Sequence, residues 1–279
     1  MTQDRHNARL PQLATYGTLP EGDFGGGMSM SAGAALGAPF RVGAALSRAL
    51  DVFRAGFFKF IVLTALPMAP VLVLEIAGAQ LPASEQGGLS GLSTILQYVL
   101  GALATGTCLY GAYQIMRGKP FTVGESFSAA GGRLGGLIGA EFVSAIITGI
   151  GMIFFVVPGI MAACALYVAL PVVMVEKLGT FASLRRSRAL TYGFRWSILG
   201  LLALFLALSL VTVAVVGAII AALIAAAGEG AGGMAAIIVG FLALVVVEAF
   251  AAVLSAVVYH DLRVAKEGVD IEQLANVFA

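Results

Sequence analysis

Six apolar runs alternate along this chain with segments that hold every one of its basic residues except Lys59, which lies at the start of the first run. The runs cover 57–80, 92–116, 134–157, 160–175, 196–226 and 234–259. The hydrocarbon core of a bilayer is about 30 Å thick and takes roughly 20 helical residues to cross. Only 11% of the residues are charged, against about 25% in an ordinary soluble domain. A soluble fold of this length could not bury so much apolar surface. The runs are continuous rather than alternating over about ten residues, which sets aside a membrane β-barrel. The fold class expected is therefore all-α: a polytopic membrane protein with six transmembrane helices.

The basic residues fix a sidedness. Six Lys and Arg precede or join the first run, three lie between runs two and three, five between runs four and five, and two follow run six. Those are all 16 in the chain, and the alternate connections hold none. By the positive-inside rule, both termini and the basic connections face the cytoplasm. The expected location is a bacterial inner membrane, crossed six times.

Three of the basic connections read as amphipathic helices suited to the membrane interface. From Pro39 to Lys59, Val42, Leu46, Ala49, Leu50 and Phe53 share a face, while Arg41, Arg48, Asp51 and Arg54 fall largely elsewhere. Residues 121–130 form a weaker version, and residues 181–194 a clear second one. Ser47-Arg48-Ala49-Leu50 is repeated as Ser187-Arg188-Ala189-Leu190. Phe40-x-Val42-Gly43-x-x-Leu46 is echoed by Phe121-x-Val123-Gly124-x-x-Phe127. The unit is a surface helix followed by two spans, three times over.

Residues 1–38 are rich in Gly, Ala, Ser and Thr and read as a flexible cytoplasmic tail. No apolar h-region follows the early charges, so no cleaved signal peptide is expected. The membrane domain is placed at 39–260 and a short cytoplasmic tail at 261–279. Within the spans, Pro67 and Pro70 should kink or break the first unless neighbours satisfy the freed carbonyls. Residues 82–91 read as a polar loop. Gly131, Gly135 and Gly139, at four-residue spacing, should let the third span approach a neighbour. Pro158-Gly159 reads as a turn or break, and Pro171 sits near the end of the fourth span.

Three carboxylates fall inside apolar runs: Glu75, Glu141 and Glu248. A carboxylate at mid-depth costs several kcal/mol unless paired, hydrated or protonated. One reading is a proton or cation path or a polar head-group cavity. The plainer reading puts Glu75 and Glu141 near span ends and makes Glu248 a hydrogen-bonding tie between helices. Arg48, Arg54, Arg185, Arg186 and Arg188 are candidates for binding anionic lipid, or simply anchor the topology. Trp196 and Phe57 mark the interface. Cys108 and Cys164 have no metal or redox spacing and read as packing residues. Of His260-Asp261-Arg263, the Asp and Arg read as a tie between the end of the chain and the basic surface helices. No nucleophile with a plausible His partner emerges, so no enzymatic activity, cofactor, metal or nucleic acid is expected.

The stretch from Pro158-Gly159-Ile160 through Pro171 and Glu176 to Ala182-x-x-Arg185-Arg186-Ser187-x-x-Leu190 and Trp196 is joined later by Tyr259-His260-Asp261-Leu262-Arg263 and Glu267-Gly268-Val269-Asp270. Together these resemble a family of bacterial integral membrane proteins, named for likeness to the membrane domain of glycerophosphoryl diester phosphodiesterases and overlapping the YciC-like proteins. His260 stands where that pattern has a second Tyr. The resemblance implies architecture and location without the catalytic domain, and no reaction. The functional expectation is a non-enzymatic membrane protein whose basic helices engage anionic lipid, a membrane-protein partner or a second copy. The alternative is a small transporter using broken helices and intramembrane carboxylates.

Overall fold

The computed structural model describes residues 41–267, apart from the side chains of residues 83–86 and 229. The tail expected at 1–38 lies outside the described residues, as do residues 268–279 of the tail expected at 261–279. The described chain is helical with no strands. It runs through α1 (Val42–Ala55), α2 (Phe57–Gly78), α3 (Ala83–Met116), α4 (Val123–Gly131), α5 (Leu134–Phe154), α6 (Val156–Leu166), α7 (Ala169–Glu176), α8 (Thr180–Thr191) and α9 (Arg195–Glu267). α9 folds back on itself at Gly228, where φ 76 and ψ 174 describe a conformation that essentially only glycine adopts. Its arms are Arg195–Gly228 and Gly230–Glu267.

Among the described residues, six helical segments are long and apolar enough to cross a membrane: α2, α3, α5, the α6–α7 pair and the two arms of α9. The protein is an integral membrane protein. A short helix followed by two such segments occurs three times, beginning at α1, α4 and α8. α1 buries Ala45, Ala49 and Phe53, one face at four-residue spacing, and leaves Arg41, Ser47, Arg48, Asp51 and Arg54 exposed. α4 starts with a capping box: the Thr122 hydroxyl accepts from the Glu125 amide, and the Glu125 carboxylate accepts from the Thr122 amide.

The last turns of the second arm of α9 run through the core. Ala252, Val253, Leu254, Ala256, Val257, Val258 and Tyr259 are buried in near succession, so this part of the helix is enclosed on all sides, while Ile238 and Leu242 nearer Gly228 are exposed. The first arm is the opposite case. Leu204, Leu206, Leu208, Leu210 and Val213 are exposed along it, an apolar flank suited to lipid chains.

α2 is continuous through Pro67 and Pro70, and at Pro67 the condition for that, a neighbour satisfying the freed carbonyl, is met. Pro67 has no N–H for the carbonyl of Leu63, four residues back, and the Thr107 hydroxyl of α3, shared with the Ala104 carbonyl at 2.8 Å, reaches it at 3.2 Å. Residues 83–91, expected as loop, instead extend α3, with Pro82 at its N-cap. Pro158-Gly159 is not the turn either. The chain reverses at the single extended residue Phe155, and Pro158 lies in the first turn of α6, where its missing N–H is not needed. Gly159 serves packing there: a Cβ on it would lie 2.5 Å from the Met152 backbone nitrogen.

The fourth span does break, at Tyr167–Val168. Pro171 denies an N–H to the Tyr167 carbonyl and crowds it, which ends α6 there. The Ala165 carbonyl in the last turn of α6 is taken by α8 hydroxyls, Ser187 at 2.9 Å and Thr191 at 3.1 Å. In the third span the close-approach glycines are not the expected trio. Gly131 and Gly135 have open space, whereas a Cβ on Gly136 would meet Val173 at 3.1 Å, and one on Gly139 would meet the Thr180 hydroxyl.

Two expected outcomes follow from these contacts. Thr107→Val should cost about 1–2 kcal/mol by leaving the Leu63 carbonyl without a donor, seen as a lower thermal midpoint in detergent with the oligomeric profile unchanged. Gly159→Ala should cost at least about 1–3 kcal/mol by overpacking, while Gly149→Ala, with open space around it, leaves the midpoint unchanged or slightly higher.

Candidate functional site

The end of α9 that carries basic residues is the meeting point of four helices. α7 closes at Glu176, followed by Lys177 in the left-handed region at φ 54. That turn brings α8 back against α6 and α7, burying Ser183, Leu184, Ser187, Leu190 and Thr191. These recur at three- and four-residue intervals, so they define one stripe. Arg186 lies beside the stripe and Arg185 and Arg188 lie away from it, which sorts the three arginines into different roles.

Arg186 Nε lies 2.9 Å from each carboxylate oxygen of Glu176, and a terminal nitrogen of its guanidinium binds Glu267. The Tyr259 hydroxyl donates to Glu176 Oε1 at 2.9 Å. Arg263 donates to Glu267 at 3.0 Å, one turn along the same helix. Lys266 donates to the Ala189 carbonyl at 2.5 Å, capping the last turn of α8. On the α1 side, Arg48 pairs with Asp261 at 2.5 Å. Burial opposes the charge on Arg186, and the hydrogen bonds and charges of Glu176 and Glu267 outweigh it and hold the guanidinium above the ordinary arginine range. The result is a clamp in which charges of both signs are matched.

α9 continues in helix to Glu267, beyond the end expected for the membrane domain at residue 260. The Asp–Arg tie is present, with Asp261 held by Arg48 of α1. Arg263 serves a different partner. His260 Nε2 is buried with no hydrogen-bond partner among the described residues, and Nδ1 is 3.5 Å from Asp261 Oδ1. Glu176, Arg186, Tyr259, Asp261, Arg263 and Glu267 all take part in this clamp, and Pro171 shapes the helix break below it.

The other basic candidates stay outside. Arg185 and Arg188 are exposed on α8, with exposed Phe181 and Tyr192 at its two ends and exposed Trp196 just beyond. Lys266 and Arg195 both lie close to the Tyr192 ring, at 5.7 and 5.8 Å. Arg54 is exposed near Phe57 and Phe58. Arg48 is half-exposed with its head group committed to Asp261.

The three carboxylates separate. Glu75 is exposed within a turn of the end of α2, beside a shallow recess lined by Gly78, Ser90 and Ser93. Glu248 in the second arm of α9 faces α3 at Gly101, where an added Cβ would lie 3.2 Å from its carboxylate. Glu141 in α5 lines a cleft with Tyr98, Ser144, Thr148 and Tyr167. Among the described residues no three His, Cys, Asp or Glu come together as a metal site.

Sequence reasoning overlooked the hydroxyls. Thr107, Ser187, Thr191 and the Tyr259 phenol all bond across helices. The signal available was polar residues sitting on apolar stripes, as Ser187 and Thr191 do beside Leu184 and Leu190. The fold and the clamp define the class: a helical membrane protein of three repeated units, locked together at one end. No family model, curated protein or solved structure matches the chain.

The clamp predicts coupling. Arg186→Gln should destabilise by roughly 2 kcal/mol, less than the ~3–5 of a fully buried pair because its side chain remains 30% exposed. A double-mutant cycle with Glu176→Gln, followed by thermal unfolding, should give a coupling energy of about 1 kcal/mol or more. Additive effects would show that the two residues act separately.

Proposed function

We propose that this integral membrane protein engages anionic lipid head groups through the outer face of α8 and the adjoining start of α9. The observation that carries the reading is the division of the arginines. Arg186 is held by Glu176 and Glu267. Arg185 and Arg188 have no carboxylate partner among the described residues and stand exposed on the helix that carries Phe181 and leads to Tyr192 and Trp196.

Basic side chains near an anionic surface each gain about 1 kcal/mol, and Trp and Tyr favour the same depth. Arg54 with Phe57 and Phe58 offers a second patch of the same chemistry on another repeat. By the positive-inside rule both patches belong to the cytoplasmic leaflet of a bacterial inner membrane. The reading involves no catalytic step. A second reading, a small transporter, draws support from the break at Tyr167–Val168 next to the cleft that holds Glu141.

The test compares lipid preference in nanodiscs and in the lipid that co-purifies in mild detergent. The wild-type chain should retain phosphatidylglycerol over phosphatidylcholine, and Arg185→Gln with Arg188→Gln should weaken that preference on the order of tenfold. Arg186→Gln should leave the preference in place and lower thermal stability instead. An unchanged preference in the double variant would remove the lipid reading.

A further inference from the structure

The cleft beside Glu141 carries a second, separate inference. It has a volume of about 320 Å³ and lies where α3, α5 and α6 meet. Glu141, Ser144 and Thr148 are three and four residues apart, so α5 turns all three to one side. Tyr98 comes from α3 and Tyr167 from the C-cap of α6. Every polar side chain in this lining ends in oxygen, and none is basic.

Two of those oxygens lack partners. Glu141 Oε2 and Ser144 Oγ are both buried, and neither has a hydrogen-bond partner among the described residues. Buried polar oxygens are ordinarily satisfied, so the cleft has room and unmet demand for a polar or cationic guest. With a single carboxylate in the lining, the site balances one positive charge rather than two. Oxygen donors of this kind suit hard cations.

We propose that this cleft binds a compact monovalent cation, either an alkali ion or the ammonium group of a small primary amine. The site does not depend on the lipid surface of α8, since it shares no residue with it.

The experiment uses the full chain in phosphatidylcholine nanodiscs, in buffer whose reference cation is N-methyl-D-glucamine, whose secondary ammonium carries a hydrated polyol chain. Sodium, potassium or methylammonium chloride replaces it at constant ionic strength while the thermal midpoint is followed. At least one of the three should raise the midpoint saturably by several degrees. Glu141→Gln should abolish that rise, and Ser144→Ala should raise the half-saturating concentration several-fold. Should Glu141→Gln fail to fold, the Ser144→Ala titration decides alone. Response to sodium or potassium identifies an alkali site, and response to methylammonium alone an amine site. The proposal is overturned if no cation differs from N-methyl-D-glucamine, or if the variants titrate as the wild type does.

Discussion

A backbone carbonyl without a donor is hard to tolerate in an apolar surround, and the packing of this protein follows from two of them. Pro67 strips a partner from Leu63, and the helix end at Leu166 leaves Ala165 open. Each is answered by hydroxyls from another helix: Thr107 for the first, Ser187 and Thr191 for the second. These bonds tie α2 to α3 and α6 to α8 at fixed heights. The prolines therefore specify neighbours, and the same residue type yields a continuous helix in one place and a broken one in another.

Above the break, charge takes over from hydroxyls. The second arm of α9 reaches α1 through Asp261, α7 through Tyr259, and α8 through Lys266 and Glu267. Elements of all three repeated units thus converge on the last turns of one helix. Because the clamp uses Arg186 and leaves Arg185 and Arg188 outside, a single short helix serves cohesion with one side chain and keeps two others free to face its surroundings.

The six spans and the short amphipathic helices were legible because they depend on composition and local periodicity alone. The orientation of Arg186 was not. Adjacent helical positions are about 100° apart, and only the docking of α8 decides which of Arg185, Arg186 and Arg188 points inward. The fate of Pro67 was hidden for a similar reason, since it turns on a threonine of a different helix. Pro158-Gly159 misled in another way: a proline followed by glycine marks a turn as readily as the first turn of a tightly packed helix. Glu141 stood out by type, whereas its cleft depends on Tyr98 and Tyr167 from other helices.

The connections at the end opposite the clamp are very short: residues 79–82, Phe155 alone, and the kink at Gly228. That face of the protein presents almost no free backbone to its compartment. A protease approaching from there finds few peptide bonds outside helices.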